Sequence, residues 1–158
     1  MSSAQRIPPF LSIVFSFRNE EDVLTELIRR TRAAMEDTSR KGLVKDHEMV
    51  FVNDASSDNS LVLLLEQDKG HNDIRIINMS RTFGVAPCVM AGLAHARGDA
   101  VVYMDADLQD PPELIGTMLA NYLNDPDVDV VHTVRRSRQG EPMFKLFLTK
   151  IGYLILNR

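Results

Sequence analysis

Two aspartates, Asp105 and Asp107, are the residues of this chain whose type and spacing most directly suggest chemistry. They follow the short apolar run 101–104, and only Ala106 separates them. Two carboxylates this close repel each other unless a cation lies between them. Mg²⁺ and Mn²⁺ bind oxygen ligands, and Mg²⁺ is commonly held by one or two carboxylates together with phosphate oxygens. The spacing therefore predicts a divalent metal that bridges the protein to a diphosphate, although a bare Asp-x-Asp pair is also common in ordinary loops.

The residues that follow this pair predict a helix start. Asp110 is suited to the N-cap, Pro111 to the first helical position and Glu113 to closing a capping box. We therefore exclude Asp110 from the metal site and expect a helix over 112–123.

Strands and helices alternate along the sequence, and this order must position the aspartates. Period and residue type predict five strands, at 11–17, 48–53, 74–79, 101–104 and 128–134. They predict four helices, at 20–35, 60–66, 85–96 and 112–123. Such alternation indicates an α/β fold with a mostly parallel sheet and helices on both faces. In this class ligands bind in the crevice beyond the carboxyl ends of the strands.

Two further polar residues follow predicted strands. Asp54, after the second strand, has two readings: a hydrogen-bond acceptor for a nucleoside, or a cap of the next helix together with Ser57. Arg81, after the third strand, is either a solvated surface residue or a cation that faces a diphosphate.

The composition narrows the class of protein. The 158 residues are 44% hydrophobic and 25% charged, with a net charge of -4 and no basic block, which argues against nucleic-acid binding. The single cysteine, Cys88, excludes an internal disulfide framework and favours a reducing compartment, so we expect an intracellular protein. The apolar segment 143–156 contains Lys145 and Lys150 and is too short to span a bilayer. It predicts a helix that lies on a membrane, or one buried against a partner or in the core.

Four motifs in order carry a family resemblance: Asn19-Glu20-Glu21, and the stretches 52–58, 80–84 and 105–113. Together they resemble the inverting glycosyltransferases of family 2. The likeness is strongest to the branch that moves a sugar from a nucleotide onto a polyprenyl phosphate, the dolichyl-phosphate mannose synthase and undecaprenyl-phosphate glucosyltransferase type. The resemblance covers nearly all of residues 11–158 and implies a Rossmann-like nucleotide-binding fold of the glycosyltransferase A (GT-A) type.

The resemblance also implies roles for individual residues. It implies a metal and donor-diphosphate site at Asp105 and Asp107, with Ala106 and Gln109 beside them. The other donor contacts that it implies are Ser16 and Glu20 in the nucleoside pocket, Asp54 on the base or ribose, and Arg81 and Arg135 on the donor phosphates.

The implied activity is metal-dependent transfer of a hexose, with inversion, from a UDP- or GDP-linked donor to a lipid phosphate in cell-envelope glycan synthesis. The implied cofactor is Mg²⁺ or Mn²⁺, and the implied place is the inner face of the cytoplasmic membrane. We expect a nucleotide-sugar-binding catalytic domain at 1–141 and an amphipathic membrane-interface helix at 142–158, with the acceptor-activating residue beyond residue 158. The sequence allows a homo-oligomer but does not determine the oligomeric state.

The sequence leaves two alternatives open and disfavours two others. The chain could bind the donor without turnover, or its acceptor could be a saccharide hydroxyl. A phosphohydrolase is disfavoured because such enzymes carry the Asp-x-Asp pair after the first strand, whereas here it follows the fourth. A phospho-accepting regulatory domain is disfavoured because arginines, not a lysine, follow the fifth predicted strand.

Overall fold

The computed structural model describes residues 6–134, which form four strands and four helices in alternation. The elements are β1 (Phe10–Phe17), α1 (Leu24–Arg40), β2 (Asp46–Asn53), α2 (Ser60–Gln67), β3 (Ile74–Asn78), α3 (Val85–His95), β4 (Ala100–Asp105) and α4 (Leu114–Asn124). The strands lie in the order β3-β2-β1-β4, and every pair is parallel. The predicted α/β fold with a parallel sheet is therefore confirmed.

Strand β1 lies inside the sheet, and its sequence shows why. Leu11 to Phe17 are all buried, because helices cover both faces of the sheet and each face needs apolar side chains. Alternate residues serve different cores. Phe15 packs in the larger core with α1, α2 and α4, whereas Val14 packs in a smaller core under α3.

Helix α3 packs closely on the sheet because it carries small residues. A side chain at Gly92 would overlap Val14 and crowd Val52. The sequence predicts this close packing from the small residues of the segment, and the structure shows that Gly92 is the one pressed against β1 and β2.

The predicted fifth strand is wrong: residues 128–134 form no strand. Val130 and Val134 are exposed, at 78% and 72%, and Val128 and Val131 are only half-buried. The Arg6 guanidinium holds the start of this stretch by donating to the carbonyl oxygen of Val128 at 2.7 Å. Alternating apolar residues specify a strand where one face of it is buried. Within the described part of the chain, neither face of this stretch is buried.

The predicted capping box is also wrong. Helix α4 begins at Leu114, and Glu113 occupies the N-cap position without a side-chain cap bond. Its carboxylate instead accepts a forked pair of hydrogen bonds from Arg30 of α1, at 2.9 and 2.7 Å. A charged fork competes well with a cap, because charge-assisted bonds are the stronger kind.

The strand ends fix where loops meet. Ser16 is the register partner of Asp105, and Phe17 is the partner of Asn53, so β1, β2 and β4 end at the same level. The winding order reverses at β1, which has β2 on one side and β4 on the other. A crevice at such a reversal is where open α/β sheets bind ligands. Within residues 6–134, no helix has the length and apolar character needed to cross a membrane.

Candidate functional site

A cleft of about 300 Å³ opens at this reversal point. Its lining comes from the ends of β1, β2 and β4 and from the start of α3. The lining residues are Ser16, Phe17, Arg18, Glu20, Asp54, Val85, Cys88, Asp105, Ala106 and Asp107. Six of the predicted site residues, Ser16, Glu20, Asp54, Asp105, Ala106 and Asp107, thus share one cleft.

Hydrogen bonds tie the loop after β1 to the loop after β2. The Asn19 side chain accepts the backbone N–H of Ser57 at 2.8 Å, and the Glu21 carboxylate accepts that of Asn59 at 2.8 Å. In return, Ser60 accepts the backbone N–H of Glu20 at 3.0 Å. Asn19 and Glu21 of the first motif therefore build the wall of the cleft, while Glu20 lines it.

Backbone strain is concentrated in the same loops. Asn19, Ala55 and Leu108 follow β1, β2 and β4, and their φ angles are 58°, 53° and 58°. Left-handed backbone is unfavourable for residues with a side chain, and it persists where the surrounding structure enforces it, often at functional sites. The three loops that line the cleft are therefore held in specific conformations.

Asp105 is the last residue of β4 and is exposed. The Tyr103 hydroxyl donates to its Oδ1 at 2.5 Å and lies 2.9 Å from the Ser16 hydroxyl. Burial, followed by the hydrogen bond to Asp105, raises the pKa of Tyr103 to about 12. The phenol therefore stays protonated at neutral pH and acts as a donor to Asp105.

Asp107 and Glu20 form an acidic corner of the cleft. The Asp107 carboxylate accepts the backbone N–H of Gln109 at 3.0 Å, a turn that fixes its side chain. Burial and then the negative charges of Asp107, Asp58 and Asp22 raise the pKa of Glu20. Concentrated negative charge of this kind is relieved when a cation binds.

Asp54 is buried, with 6% of its surface exposed, and it anchors the loop before α3. Its carboxylate accepts the backbone N–H of Phe83 at 2.7 Å and that of Gly84 at 2.9 Å. Burial alone would raise its pKa, but these two bonds, one from the Cys88 thiol and the positive charge of Arg18 together outweigh burial and lower it. The predicted alternative that Asp54 caps α2 is wrong, because its carboxylate bonds the loop before α3 instead.

Arg81 and Gln109 do not join this lining. Arg81 is exposed, and its guanidinium stacks over the Phe83 ring at 4.2 Å from the centre. Gln109 is exposed and contributes its backbone N–H to the turn at Asp107. Arg135 lies outside the described residues. Among residues 6–134, the cation that lines the cleft is Arg18.

Sequence reasoning missed Tyr103 and Cys88 as site residues. Strand period alone places Tyr103 on the same face of β4 as Asp105, and this was the available signal. Burial and the neighbouring Asp54 raise the pKa of the Cys88 thiol to about 11, so the thiol stays neutral and donates to Asp54. Nothing local in the sequence predicts that contact, because it joins α3 to the end of β2.

The carboxylates of the cleft suit a metal ion that phosphate oxygens of a bound ligand also coordinate. Within residues 6–134, no three His, Cys, Asp or Glu side chains are grouped to hold a metal ion. The cleft offers Asp105 from the end of β4 and Asp107 from the loop that follows. Two carboxylates fit Mg²⁺, which keeps waters and shares phosphate oxygens, and Mn²⁺ takes the same oxygen ligands.

Comparison with known proteins gives a family. The sequence model described as Glycosyl transferase family 2 matches residues 12–155. An uncharacterized glycosyltransferase of Synechocystis sp. is 39% identical over 148 residues, which are 94% of this chain and 44% of the relative. An uncharacterized glycosyltransferase of Bacillus subtilis is 38% identical over 146 residues, which are 92% of this chain and 43% of the relative. The chain thus spans less than half the length of these curated relatives.

Solved structures share the fold. The mannosyltransferase PcManGT from Pyrobaculum calidifontis, in complex with GDP-Man and Mn²⁺, superposes with a TM-score of 0.67 at 22% identity. That match covers 85% of this chain and 40% of the other. S. aureus TarS 1-349, in complex with UDP-GlcNAc, gives a TM-score of 0.59 at 21% identity over 86% of this chain and 38% of the other. At such identities the likeness establishes the architecture alone.

Proposed function

Because this chain belongs to glycosyltransferase family 2 and has the GT-A fold, we propose that it is the donor-binding part of an enzyme that transfers a hexose from a nucleotide-diphosphate sugar. One observation carries the proposal. Side chains from the ends of three parallel strands, namely Glu20, Asp54 and the pair Asp105 and Asp107, surround a single cleft. That is where a nucleotide binds in a sheet of this kind.

The proposed donor carries UDP or GDP. Support comes from the architecture and from the ligands of the two structural neighbours, GDP-Man and UDP-GlcNAc, which together nominate both nucleotides. We place the nucleoside between Ser16, Glu20 and Asp54. Asp54 has its carboxylate oxygens engaged by Phe83 and Gly84, so its part in the pocket includes holding that wall in place.

The proposed cofactor is Mg²⁺ or Mn²⁺, held by Asp105 and Asp107. Mn²⁺ is present in the neighbouring structures of PcManGT and GalNAc-T7. When bound, the metal neutralises charge that develops on the departing diphosphate. The chain's own part is orientation: the turn at Gln109 fixes Asp107, and Tyr103 fixes Asp105. Gln109 remains a proposed ligand of the metal.

Arg81 and Arg135 remain proposed contacts of the donor phosphates. Support for Arg81 is its position in the loop that Asp54 anchors, with Phe83 beneath its guanidinium. A guanidinium is well suited to phosphate because it presents several donors in a planar fork. The proposed role of Arg135 rests on the family resemblance alone.

The proposed acceptor is a polyprenyl phosphate, and the proposed course is inversion at the inner face of the cytoplasmic membrane. The support is the set of four motifs, together with the apolar segment 143–156, which lies outside the described residues. A phosphate acceptor is already anionic, so it needs less help from a base than a hydroxyl does. A saccharide acceptor would need a general base, and residues 6–134 give no assignment for one.

A transfer assay tests the proposal. The chain is incubated with radiolabelled UDP- and GDP-hexoses, Mn²⁺, and either a polyprenyl phosphate in detergent or a soluble saccharide. We expect label in the lipid fraction. Label only in the saccharide would identify the alternative acceptor. Donor binding without transfer to either would identify a donor-binding module.

A further inference from the structure

Tyr103 lies between two groups that the proposed function places in different parts of the donor site. Its hydroxyl is 2.9 Å from Ser16 Oγ, on the nucleoside side, and 2.5 Å from Asp105 Oδ1, on the metal side. Ser16 and Asp105 are register partners on adjacent strands, and Tyr103 lies two residues before Asp105 on the same face of β4. The three polar groups therefore form a continuous row across β1 and β4.

The direction of the row follows from the chemistry of its members. An ionised carboxylate only accepts hydrogen bonds, so the single phenolic proton of Tyr103 points to Asp105. The Ser16 hydroxyl must then donate to the Tyr103 oxygen. One oxygen of Asp105 is thus tied back to the strand, which restricts the orientation in which the carboxylate can meet a cation.

We propose that Tyr103 is a positioning residue that orients Asp105 for the metal and couples it to Ser16, so that nucleoside and metal bind cooperatively. This inference rests on the proposed function. A hydrogen-bonded partner behind a metal-binding carboxylate fixes its geometry and supports its affinity. A substitution at Ser16 should therefore change the affinity for the metal through the Tyr103 hydroxyl.

The test is Tyr103→Phe, which keeps the ring and removes the hydroxyl. Binding of UDP and GDP is measured by calorimetry across a Mn²⁺ series, and again in EDTA. We expect the Mn²⁺ concentration for half-maximal binding to rise about ten- to hundredfold, with nucleotide affinity in EDTA and the thermal midpoint nearly unchanged. The same change at Tyr122 of α4, whose ring lies under the Arg6 guanidinium near the start of β4, is the matched control and should leave the Mn²⁺ dependence unaltered.

A double-mutant cycle with Ser16→Ala tests the coupling. In the wild-type background, Ser16→Ala should raise the required Mn²⁺ about fivefold, as expected for one lost hydrogen bond. In the Tyr103→Phe background it should have almost no effect on Mn²⁺, because the connection is already broken. Additive effects of the two changes would overturn the coupling.

Two results separate this inference from the proposed function. If the wild-type chain binds a nucleotide with Mn²⁺ and Tyr103→Phe has the same Mn²⁺ dependence, the inference fails and the proposed function stands. If Tyr103→Phe weakens nucleotide binding equally with Mn²⁺ and in EDTA, the tyrosine is merely structural and the inference also fails. Absence of Mn²⁺-dependent binding in the wild type would overturn both.

Discussion

The carboxylate of Asp54 accepts the backbone N–H of Phe83 at 2.7 Å, which joins the end of β2 to the loop that leads into α3. A second bond, from Gly84 at 2.9 Å, completes the anchor. Only 6% of the surface of Asp54 is exposed to solvent. The Asp54 carboxylate thus fixes the position of the loop before α3, which borders the cleft.

Asp54→Asn should lower the free energy of unfolding by about 1–3 kcal/mol, the typical cost of a buried donor left without an acceptor. An amide nitrogen cannot accept a hydrogen bond, so one of the two backbone N–H groups loses its partner. Urea denaturation measures this. Asp22→Asn, at an exposed carboxylate in the first loop, is the control and should leave stability unchanged. Equal stability of the two variants would mean that Asp54 is not a structural anchor.

The same anchor predicts a pH dependence. The pKa of Asp54 lies below its ordinary value of 3.8, since hydrogen bonds outweigh burial. A lowered folded-state pKa contributes stability above the unfolded pKa, and this stability is lost as pH falls through the folded value. The stability difference between wild type and Asp54→Asn should stay constant down to about pH 5 and shrink below the ordinary value. A difference that grows as pH falls would contradict the assignment.

The acidic corner predicts a selective effect on Glu20. Burial and then Asp107 raise its pKa, so Asp107→Asn should lower that pKa toward its ordinary value of 4.5. Carboxyl-resolved NMR titration measures the shift. Asp105→Asn is the comparison, because Asp105 is not among the charges that act on Glu20. Equal shifts in the two variants would show that Asp107 has no special proximity to Glu20.

An ion pair far from the cleft should matter for stability alone. Arg32 makes a fork to Asp73, at 2.8 and 2.7 Å, and both side chains are mostly buried, with 22% and 17% exposed. Asp73→Asn should cost about 1.5–3 kcal/mol, the range for a hydrogen bond to a charged group. Glu26→Gln breaks the exposed fork to Arg29 and should cost much less, because surface pairs contribute little. Thermal denaturation of both variants decides whether burial sets the difference.

The strands could be predicted from sequence wherever both faces are buried. Runs such as 11–17 and 48–53 are apolar because helices cover both sides, so their pattern and their burial agree. Segment 128–134 is also rich in valine, but none of its residues is fully buried, and there the prediction fails. Glu113 fails for a related reason, since its partner Arg30 is 83 residues away.

Part of the site could be predicted in the same way. Asp105, Asp107 and Glu20 follow strands, and the parallel sheet brings all strand ends to one edge. The roles of Tyr103 and Asp54 depend on which side chain of another strand or loop lies opposite, 87 residues away for Ser16 and Tyr103 and 29 for Asp54 and Phe83. Local patterns carry no information about such partners.

Calorimetry of nucleotide binding tests the central claim most directly. UDP, GDP and their hexose conjugates are titrated into the chain with Mn²⁺, with EDTA, and into Asp107→Asn. We expect selective binding of one nucleotide that Mn²⁺ strengthens and that EDTA and Asp107→Asn both weaken, while the variant stays folded because the half-buried Asp107 lies outside the apolar cores. Absence of binding, or binding that neither EDTA nor Asp107→Asn weakens, would contradict a metal-dependent donor site at Asp105 and Asp107.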